Sequence, residues 1–155
     1  MQNEINERTI CEFNKLYYKI NGLYVRFENA KDFNSSLYKV LHALYISELR
    51  TQKDIMQNYE MPKQTINNVI VNLQKQDFIE ISSSQNDKRE RIINLTERGV
   101  EYAKAFIAEY TAFERKVYQK LGVHKFNKLI EIYADFEKVF NETLNEEFSS
   151  RKDKQ

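Results

Sequence analysis

Residues 51–99 read TQKDIMQNYEMPKQTINNVIVNLQKQDFIEISSSQNDKRERIINLTERG, and this stretch decides the fold of the chain. Its first part predicts a short helix from Thr51 to Tyr59, because a threonine followed three residues later by Asp54 is a variant of the capping box. A turn of two residues then leads to Pro62, which the first position of a helix tolerates because that N–H would be unpaired anyway. These signals predict two helices joined by a tight turn.

The segment after the proline has the periodicity of a second helix. Its apolar residues recur at helical spacing, and most of the positions between them are polar. One face of this helix is therefore expected to lie against a core while the other faces outward. Two short helices joined by a turn, the second with a polar outer face, are typical of a helix-turn-helix. The apolar positions are Ile66, Val69, Ile70 and Leu73.

Two short β-prone runs follow the second helix. Phe78–Ser82 alternates apolar and polar residues, and Arg91–Leu95 places Ile93 and Leu95 on one face. Between the runs, residues 83–90 form a polar, turn-forming segment that cannot join a core. The pattern predicts a two-stranded hairpin with a charged tip, which is a wing. A generic helix pair followed by a surface hairpin is the plainer alternative.

Long helices are predicted on both sides of this region, since only three glycines and one proline interrupt the chain. Ser35 or Ser36 should cap the helix before the helix-turn-helix, Thr96 the helix after the wing, and Gly122 should separate the last two helices. The whole pattern predicts a mainly α fold. The predicted helices span about residues 5–28, 37–47, 96–120 and 124–148, and residues 149–155 form a frayed, charged tail.

The terminal helices carry more apolar surface than a core of this size can cover. In the first helix, one stripe includes Phe13 and Ile20, and a second stripe of Cys11, Tyr18 and Val25 lies on nearly the opposite side. Buried apolar area stabilises by about 25 cal/mol per Å², so leaving both stripes exposed to water would lose several kcal/mol of stabilisation. We therefore expect a twofold homodimer held by the terminal helices. An isolated run of exposed aromatic residues is the alternative.

Length and composition exclude several classes of protein. At 155 residues the chain is one domain with room for a core, and its net charge of +1 means that nucleic-acid binding has to come from local placement of charge. A single cysteine excludes a disulfide framework and a cysteine-rich zinc site. Neither a signal peptide nor an apolar run of membrane-spanning length is present, so we expect a soluble, cytoplasmic protein without a membrane partner.

No pattern of catalytic residues points to an enzyme. The sequence has no glycine-rich phosphate loop, no nucleophile–base pair and no cluster of metal ligands. The two histidines, His42 and His124, lie in different predicted elements, so packing or surface roles are expected for them. Neither a metal nor a cofactor is expected.

A family resemblance rests on the wing and on the second helix. The motif D-x-R at residues 87–89, followed after five residues by L-T-x-x-G at residues 95–99, resembles the wing signature of the multiple-antibiotic-resistance regulator (MarR) family. Residues 61–67, MPKQTIN, resemble the start of that family's recognition helix, and the order of helices agrees over nearly the whole chain. Asp54 departs from the family pattern, in which a glutamate is frequent, without affecting the fold.

The resemblance implies a single domain over residues 1–155, a winged helix-turn-helix with a two-stranded wing. Residues of about 5–29 and 97–148 would be the dimerisation helices, and about 37–96 the DNA-binding region. The implied function is a sequence-specific regulator of transcription, most simply a repressor. It would bind a pseudo-palindromic operator in double-stranded DNA as a homodimer, and a small molecule or an oxidant would release or modulate it. A winged-helix module for protein–protein contact is the alternative.

Candidate DNA-reading residues lie on the outer face of the second helix and in the wing. Glutamine and asparagine bond bidentately to adenine and threonine contacts the thymine methyl group, so a helix rich in amides and short of arginine favours A·T-rich half-sites. An arginine on a hairpin can enter the narrow minor groove of such DNA. The resemblance gives that role to Arg89, with Asp87 shaping the tip, whereas Arg91 would meet phosphate or a neighbouring acid. A solvated surface is the alternative for each residue. The candidates are Pro62, Lys63, Gln64, Thr65, Asn67, Asn68 and Asn72 on the helix and Asp87, Lys88, Arg89 and Arg91 in the wing.

Cys11 is the candidate for redox sensing. It lies on the first helix close to Tyr17 and Tyr18, and it loosely resembles the lone reactive cysteine of family members that sense organic hydroperoxides. A small hydrophobic packing role is the alternative, since only Arg8 or Lys15 stands near enough in sequence to activate the thiol. The sequence does not identify a small-molecule effector. A pocket for one could be lined by Tyr24, Phe27, Tyr38, His42 and Tyr45.

Overall fold

A computed structural model describes residues 6–83 and 90–152 of the chain, with side chains as far as residue 149. Within these ranges it has six helices and one antiparallel sheet of two strands, which confirms the predicted mainly α winged helix-turn-helix. The chain forms two compact units, Met1–Ile107 and Ala108–Gln155. The elements are α1 (Glu7–Lys31), α2 (Ser35–Tyr45), α3 (Gln52–Tyr59), α4 (Lys63–Lys75), β1 (Ile79–Ser83), β2 (Arg91–Leu95), α5 (Glu97–Leu121) and α6 (Val123–Lys152).

One hydrophobic core joins the helix-turn-helix to the wing in the first unit. The apolar stripe of α2 is buried at its centre, and α2 packs against α3, α4 and β2. The apolar face of α4 is buried in the same core, so the opposite face of that helix is held outward. The buried members are Val40, Leu41, Ala43, Leu44, Ile55, Met61, Ile66, Ile70, Leu73, Phe78, Ile79, Ile93, Ala103 and Ile107.

The start of α3 confirms the predicted capping box variant. The Thr51 hydroxyl oxygen accepts the Asp54 backbone N–H at 3.1 Å, and the same hydroxyl donates to the Asp54 carboxylate at 2.7 Å. The carboxylate therefore holds the capping hydroxyl itself. Thr51 is also the one buried polar or charged residue among those described, so this cap is itself largely shielded from solvent.

The cap of α2 differs from the prediction. The side-chain Oδ1 of Asn34 accepts the Leu37 backbone N–H at 2.9 Å, so Asn34 is the N-cap and the expectation of Ser35 or Ser36 is wrong. Asparagine is at least as good an N-cap as serine, and the earlier cap lets both serines enter the first turn of the helix.

The wing is an antiparallel hairpin with a fixed register. Ile79 pairs with Leu95, Ile81 with Ile93 and Ser83 with Arg91. The N–H of Ile93 also donates to the carbonyl of Arg50 at 2.8 Å, so a backbone bond joins β2 to the residue just before the α3 cap. The wing is therefore attached to the helix-turn-helix by backbone bonds as well as by the core.

Phe78 lies in the turn that closes α4, and β1 starts one residue later than predicted. The Phe78 N–H donates to the Leu73 carbonyl at 3.0 Å, which closes the helix, and its own carbonyl accepts the N–H of Thr96 at 3.1 Å. The Thr96 hydroxyl accepts the Gly99 N–H at 3.0 Å, which confirms the predicted cap of α5. The ring of Phe78 stacks on Tyr102 with centroids 4.3 Å apart.

The outer helices extend beyond their predicted ends. α1 continues to Lys31 before Asp32 takes a left-handed conformation with φ of 55°. Gly122 has φ of 88° and separates α5 from α6, as predicted. α6 continues to Lys152, so the expectation of a frayed tail is wrong for residues 149–152, where neither glycine nor proline interrupts the helix. None of the helices in the described ranges is long and apolar enough to span a membrane.

Candidate nucleic-acid interface

The turn before α4 sets the direction in which that helix leaves the core. Glu60 has a left-handed φ of 45°, and the side chain of Met61 is buried. Pro62 has φ −59° and ψ 135°, so it is the N-cap of α4 and lies outside the helix, one residue before the predicted position. Its carbonyl accepts the N–H of Ile66 at 3.1 Å, so the helix still begins immediately after the proline.

The face of α4 opposite the core carries most of the candidate residues. By the 3.6-residue period, Gln64 lies directly opposite the buried Leu73, and Asn68 lies about 140° from it around the helix. Thr65 lies at the flank of the helix and is partly covered. The candidates Pro62, Lys63, Gln64, Asn67, Asn68 and Asn72 are all exposed. A row of amide side chains therefore faces outward from a helix whose other side is fixed.

Two of these amides are bonded to each other. The Nε2 of Gln64 donates to the Oδ1 of Asn68 at 2.9 Å, across one helical turn. Sequence periodicity places the two residues on one face, but the bond between them is visible only in the structure.

Val71 is an outward residue that the sequence analysis did not select. It is 40% exposed and lies near Gln64 and Asn68 on the outer face of α4. Valines in a helix usually belong to the core stripe, which here consists of Ile66, Ile70 and Leu73, with Val69 partly buried beside them. The signal that could have identified Val71 is its spacing of seven residues from Gln64, which places both on one face.

The described part of the wing includes one of its four candidates. Arg91 is exposed at the start of β2, opposite Ser83. Asp87, Lys88 and Arg89 lie outside the described residues.

Cys11 lies in an open groove on the surface of α1. The groove has a volume of about 330 Å³, and Tyr18 lines it together with the cysteine. Cys11 is exposed, and so are Phe13 and Ile20 of the first predicted stripe and Tyr18 and Val25 of the second. The other lining residues are Glu7, Ile10, Asn14 and Lys15.

His42 takes part in a hydrogen-bonded contact between α2 and the end of α3. Its Nδ1 lies 2.6 Å from the hydroxyl of Tyr59, and the Oγ of Ser47 lies 3.0 Å from the same hydroxyl. The ring of Tyr38 is 5.7 Å from the imidazole. Tyr38 and His42 are two of the residues predicted to line a pocket, whereas Tyr59 is not among them. In the described ranges no group of three or more His, Cys, Asp or Glu could hold a metal ion.

A helix-turn-helix followed by an antiparallel wing and framed by long helices defines the winged helix-turn-helix class. Residues 34–90 match the family model of the MarR family. The chain is similar to the structure of NMB1585, a MarR family regulator from Neisseria meningitidis, with 27% identity over 92% of this chain and 99% of that chain and a TM-score of 0.75. Residues 34–90 therefore match a MarR-type winged helix-turn-helix, and the chain as a whole is similar in structure to a MarR family regulator.

Two further solved structures share the fold at lower identity. The transcriptional regulator PA4135 has a TM-score of 0.66 and 13% identity over 83% of this chain and 95% of that chain. The DNA complex of MepR from S. aureus has a TM-score of 0.58 and 18% identity over 89% of this chain and 98% of that chain. No curated protein matches the sequence.

Proposed function

We propose that this protein is a sequence-specific transcriptional regulator that binds double-stranded DNA as a homodimer and represses transcription from a pseudo-palindromic operator. The observation that carries the proposal is the outward row of amides on α4, held by a helix whose opposite face is locked into the core. The same fold is found in the DNA complex of MepR, which supports DNA as the partner.

The chemistry of α4 supports recognition of adenine-containing sites. An exposed glutamine or asparagine can both donate to and accept from the major-groove edge of adenine, whereas guanine is read chiefly by arginine or lysine. α4 has exposed amides at four of the proposed contact positions, no arginine, and lysines only at its two ends, Lys63 and Lys75. Such lysines suit phosphate contacts, so the bases would be read by the amides. We therefore expect A·T-rich half-sites.

Homodimerisation is proposed from the exposed apolar surface of the terminal helices. α1 has no buried residue, and apolar side chains along α1 and α6 are more than half exposed. Covering such side chains with a second copy removes apolar area from water at about 25 cal/mol per Å². A twofold dimer would also present two α4 helices to successive major grooves. The side chains concerned are Leu16, Tyr18, Leu23, Val25, Val123, Ile130, Ile132, Val139, Phe140 and Phe148.

The experiment that tests this function is a selection of duplexes from a random-sequence pool, followed by titration of the best duplex at several salt concentrations. We expect A·T-rich half-sites with centres about 10 base pairs or a multiple of that apart. The affinity should fall by about 1,000-fold or more between about 50 and 200 mM salt if six or more phosphates are contacted. A chain that stays monomeric at micromolar concentration and enriches no duplex would refute the proposal and favour a protein–protein module.

Cys11 is the proposed site at which an oxidant would release the DNA. In the single chain Cys11 is exposed and shares a groove with Tyr18, one of the side chains that the proposed dimer would cover. Peroxide should weaken operator binding by the native chain, and Cys11→Ser should bind the operator normally and lose the peroxide response. An unchanged affinity after peroxide treatment, with the thiol unmodified by mass spectrometry, would leave a small-molecule effector as the remaining form of release.

A further inference from the structure

We infer that Asn68 orients the amide of Gln64 so that the two side chains read one adenine as a unit. The inference deepens the proposed DNA-binding function and rests on it. Its basis is the bond from Gln64 Nε2 to Asn68 Oδ1, 2.9 Å long, between two exposed side chains on the outermost line of α4.

The bond leaves Gln64 with the groups that adenine requires. A glutamine amide has two N–H donors and one carbonyl acceptor, and Asn68 takes one donor. Bidentate reading of adenine needs one N–H for its N7 and one carbonyl for its N6 amino group. The N–H on the far side of the amide from the carbonyl is not used by adenine. A neighbour can therefore accept it without blocking the reading edge.

The same bond disfavours the reversed orientation of the amide. If Gln64 turned its amide over while Asn68 kept its Oδ1 in place, the carbonyl oxygen of Gln64 would face that Oδ1, and two acceptors without a proton between them repel each other. In the observed arrangement the carbonyl of Gln64 is therefore kept for a donor. Guanine presents only acceptors, N7 and O6, at the corresponding major-groove positions, so the oriented pair selects adenine against guanine.

The size of the effect follows from the freedom that the bond removes. Each aliphatic torsion of a glutamine side chain has three staggered wells, so holding one or two of them raises the population of the reading orientation by about three- to tenfold. Asn68→Ala should lower the preference for A·T at the base pair read by Gln64 by about that factor. Asn68 is thus a positioning residue, and Gln64 makes the base contact.

The experiment uses the full chain and a duplex selected from a random pool, with every base pair of one half-site replaced in turn. Gln64→Ala should lower the preference at one base pair by about tenfold, within the range of a bidentate contact. Asn68→Ala should lower it at the same base pair and should add nothing in the Gln64→Ala background. Asn68→Asp retains an acceptor oxygen, so it should keep the preference while its charge weakens binding to every duplex.

Asn72→Ala is the matched control for the loss of an exposed amide from α4. Gln76 bonds to the backbone carbonyl of Asn72, so truncating that side chain leaves the bond in place. Its effect on affinity, of whatever size, should add to that of Gln64→Ala because the two residues lie two turns apart.

Two outcomes overturn the inference while leaving the proposed function intact. In the first, Asn68→Ala leaves the preference at the Gln64 base pair unchanged while the native chain discriminates there. In the second, the effects of Gln64→Ala and Asn68→Ala add as independent losses. A native chain that enriches no duplex would instead refute the proposed function, and the inference with it.

Discussion

Gly99 should be the least replaceable glycine of this chain, because the backbone of Phe78 occupies the space that any side chain would need. A Cβ at Gly99 would meet the carbonyl oxygen of Phe78 and would lie 2.8 Å from its carbonyl carbon. Carbon atoms in ordinary contact are about 3.5–4.0 Å apart, so the backbones would have to separate by about 1 Å. Such a shift would break the bond from the Thr96 N–H to the Phe78 carbonyl, which is 3.1 Å long.

The net cost of Gly99→Ala follows from two opposing terms. Alanine is favoured over glycine inside a helix by about 0.5–1 kcal/mol. Overpacking typically costs about 1–3 kcal/mol, and here the obstacle is backbone, which cannot swing aside as a side chain can. We expect a net loss of about 2 kcal/mol, which for a chain of this size lowers the melting temperature by about 4–8 °C.

Thermal unfolding followed by circular dichroism at a fixed protein concentration would measure this loss. Gly22→Ala is the matched control, since a Cβ there meets nothing within 4 Å in the middle of α1, and its melting temperature should rise. The reasoning is refuted if Gly99→Ala melts at or above the native temperature while the Gly22 variant behaves as expected.

Three further substitutions test the cap, the wing and the outer face of α4. Thr51→Ala should lower the free energy of unfolding by about 1 kcal/mol, whereas Thr51→Ser, which keeps the hydroxyl that bonds Asp54, should melt close to the native chain. Arg91→Ala should weaken binding to all duplexes about equally and lower the slope of log affinity against log salt by about one; a changed base preference would show that Arg91 reads bases. Val71→Ala should reduce the preference for thymine at one position by about 1 kcal/mol, and Val71→Thr should keep it; equal base preferences in a selection with both variants would exclude a methyl contact.

Local sequence rules predicted the order of elements because each boundary is set by a short-range interaction. Thr51 and Thr96 cap helices through bonds to residues three positions ahead, which a sequence displays directly. Gly122 ends α5 because it adopts a left-handed φ of 88°, a conformation that glycine reaches readily and other residues rarely adopt. The alternation in the wing fixed which side chains of the hairpin enter the core.

The remaining features depend on contacts that the sequence does not display. Ser35 and Ser36 are of the residue type that caps helices, so the sequence favoured one of them as the N-cap of α2. The backbone path instead places the side chain of Asn34 where it accepts the Leu37 N–H. Val71 is an apolar residue of the type found in cores, yet it lies on the outward side of α4, whose buried face is formed by Ile66, Ile70 and Leu73. Tyr59 meets His42 across 17 residues of sequence, a distance at which periodicity carries no information.

Phe78 explains how the reading helix and the wing can act as one body. Its N–H ends α4, its carbonyl holds the first residue before α5, and its ring stacks on Tyr102 of α5. Since Gly99 permits that carbonyl to approach α5 without a side chain between them, the end of α4 and the start of α5 are separated by backbone alone. At this point there is no layer of side chains that could deform to absorb a displacement of the first turns of α5. Such a displacement must carry the end of α4 and the base of the wing with it, or break the bonds at Phe78.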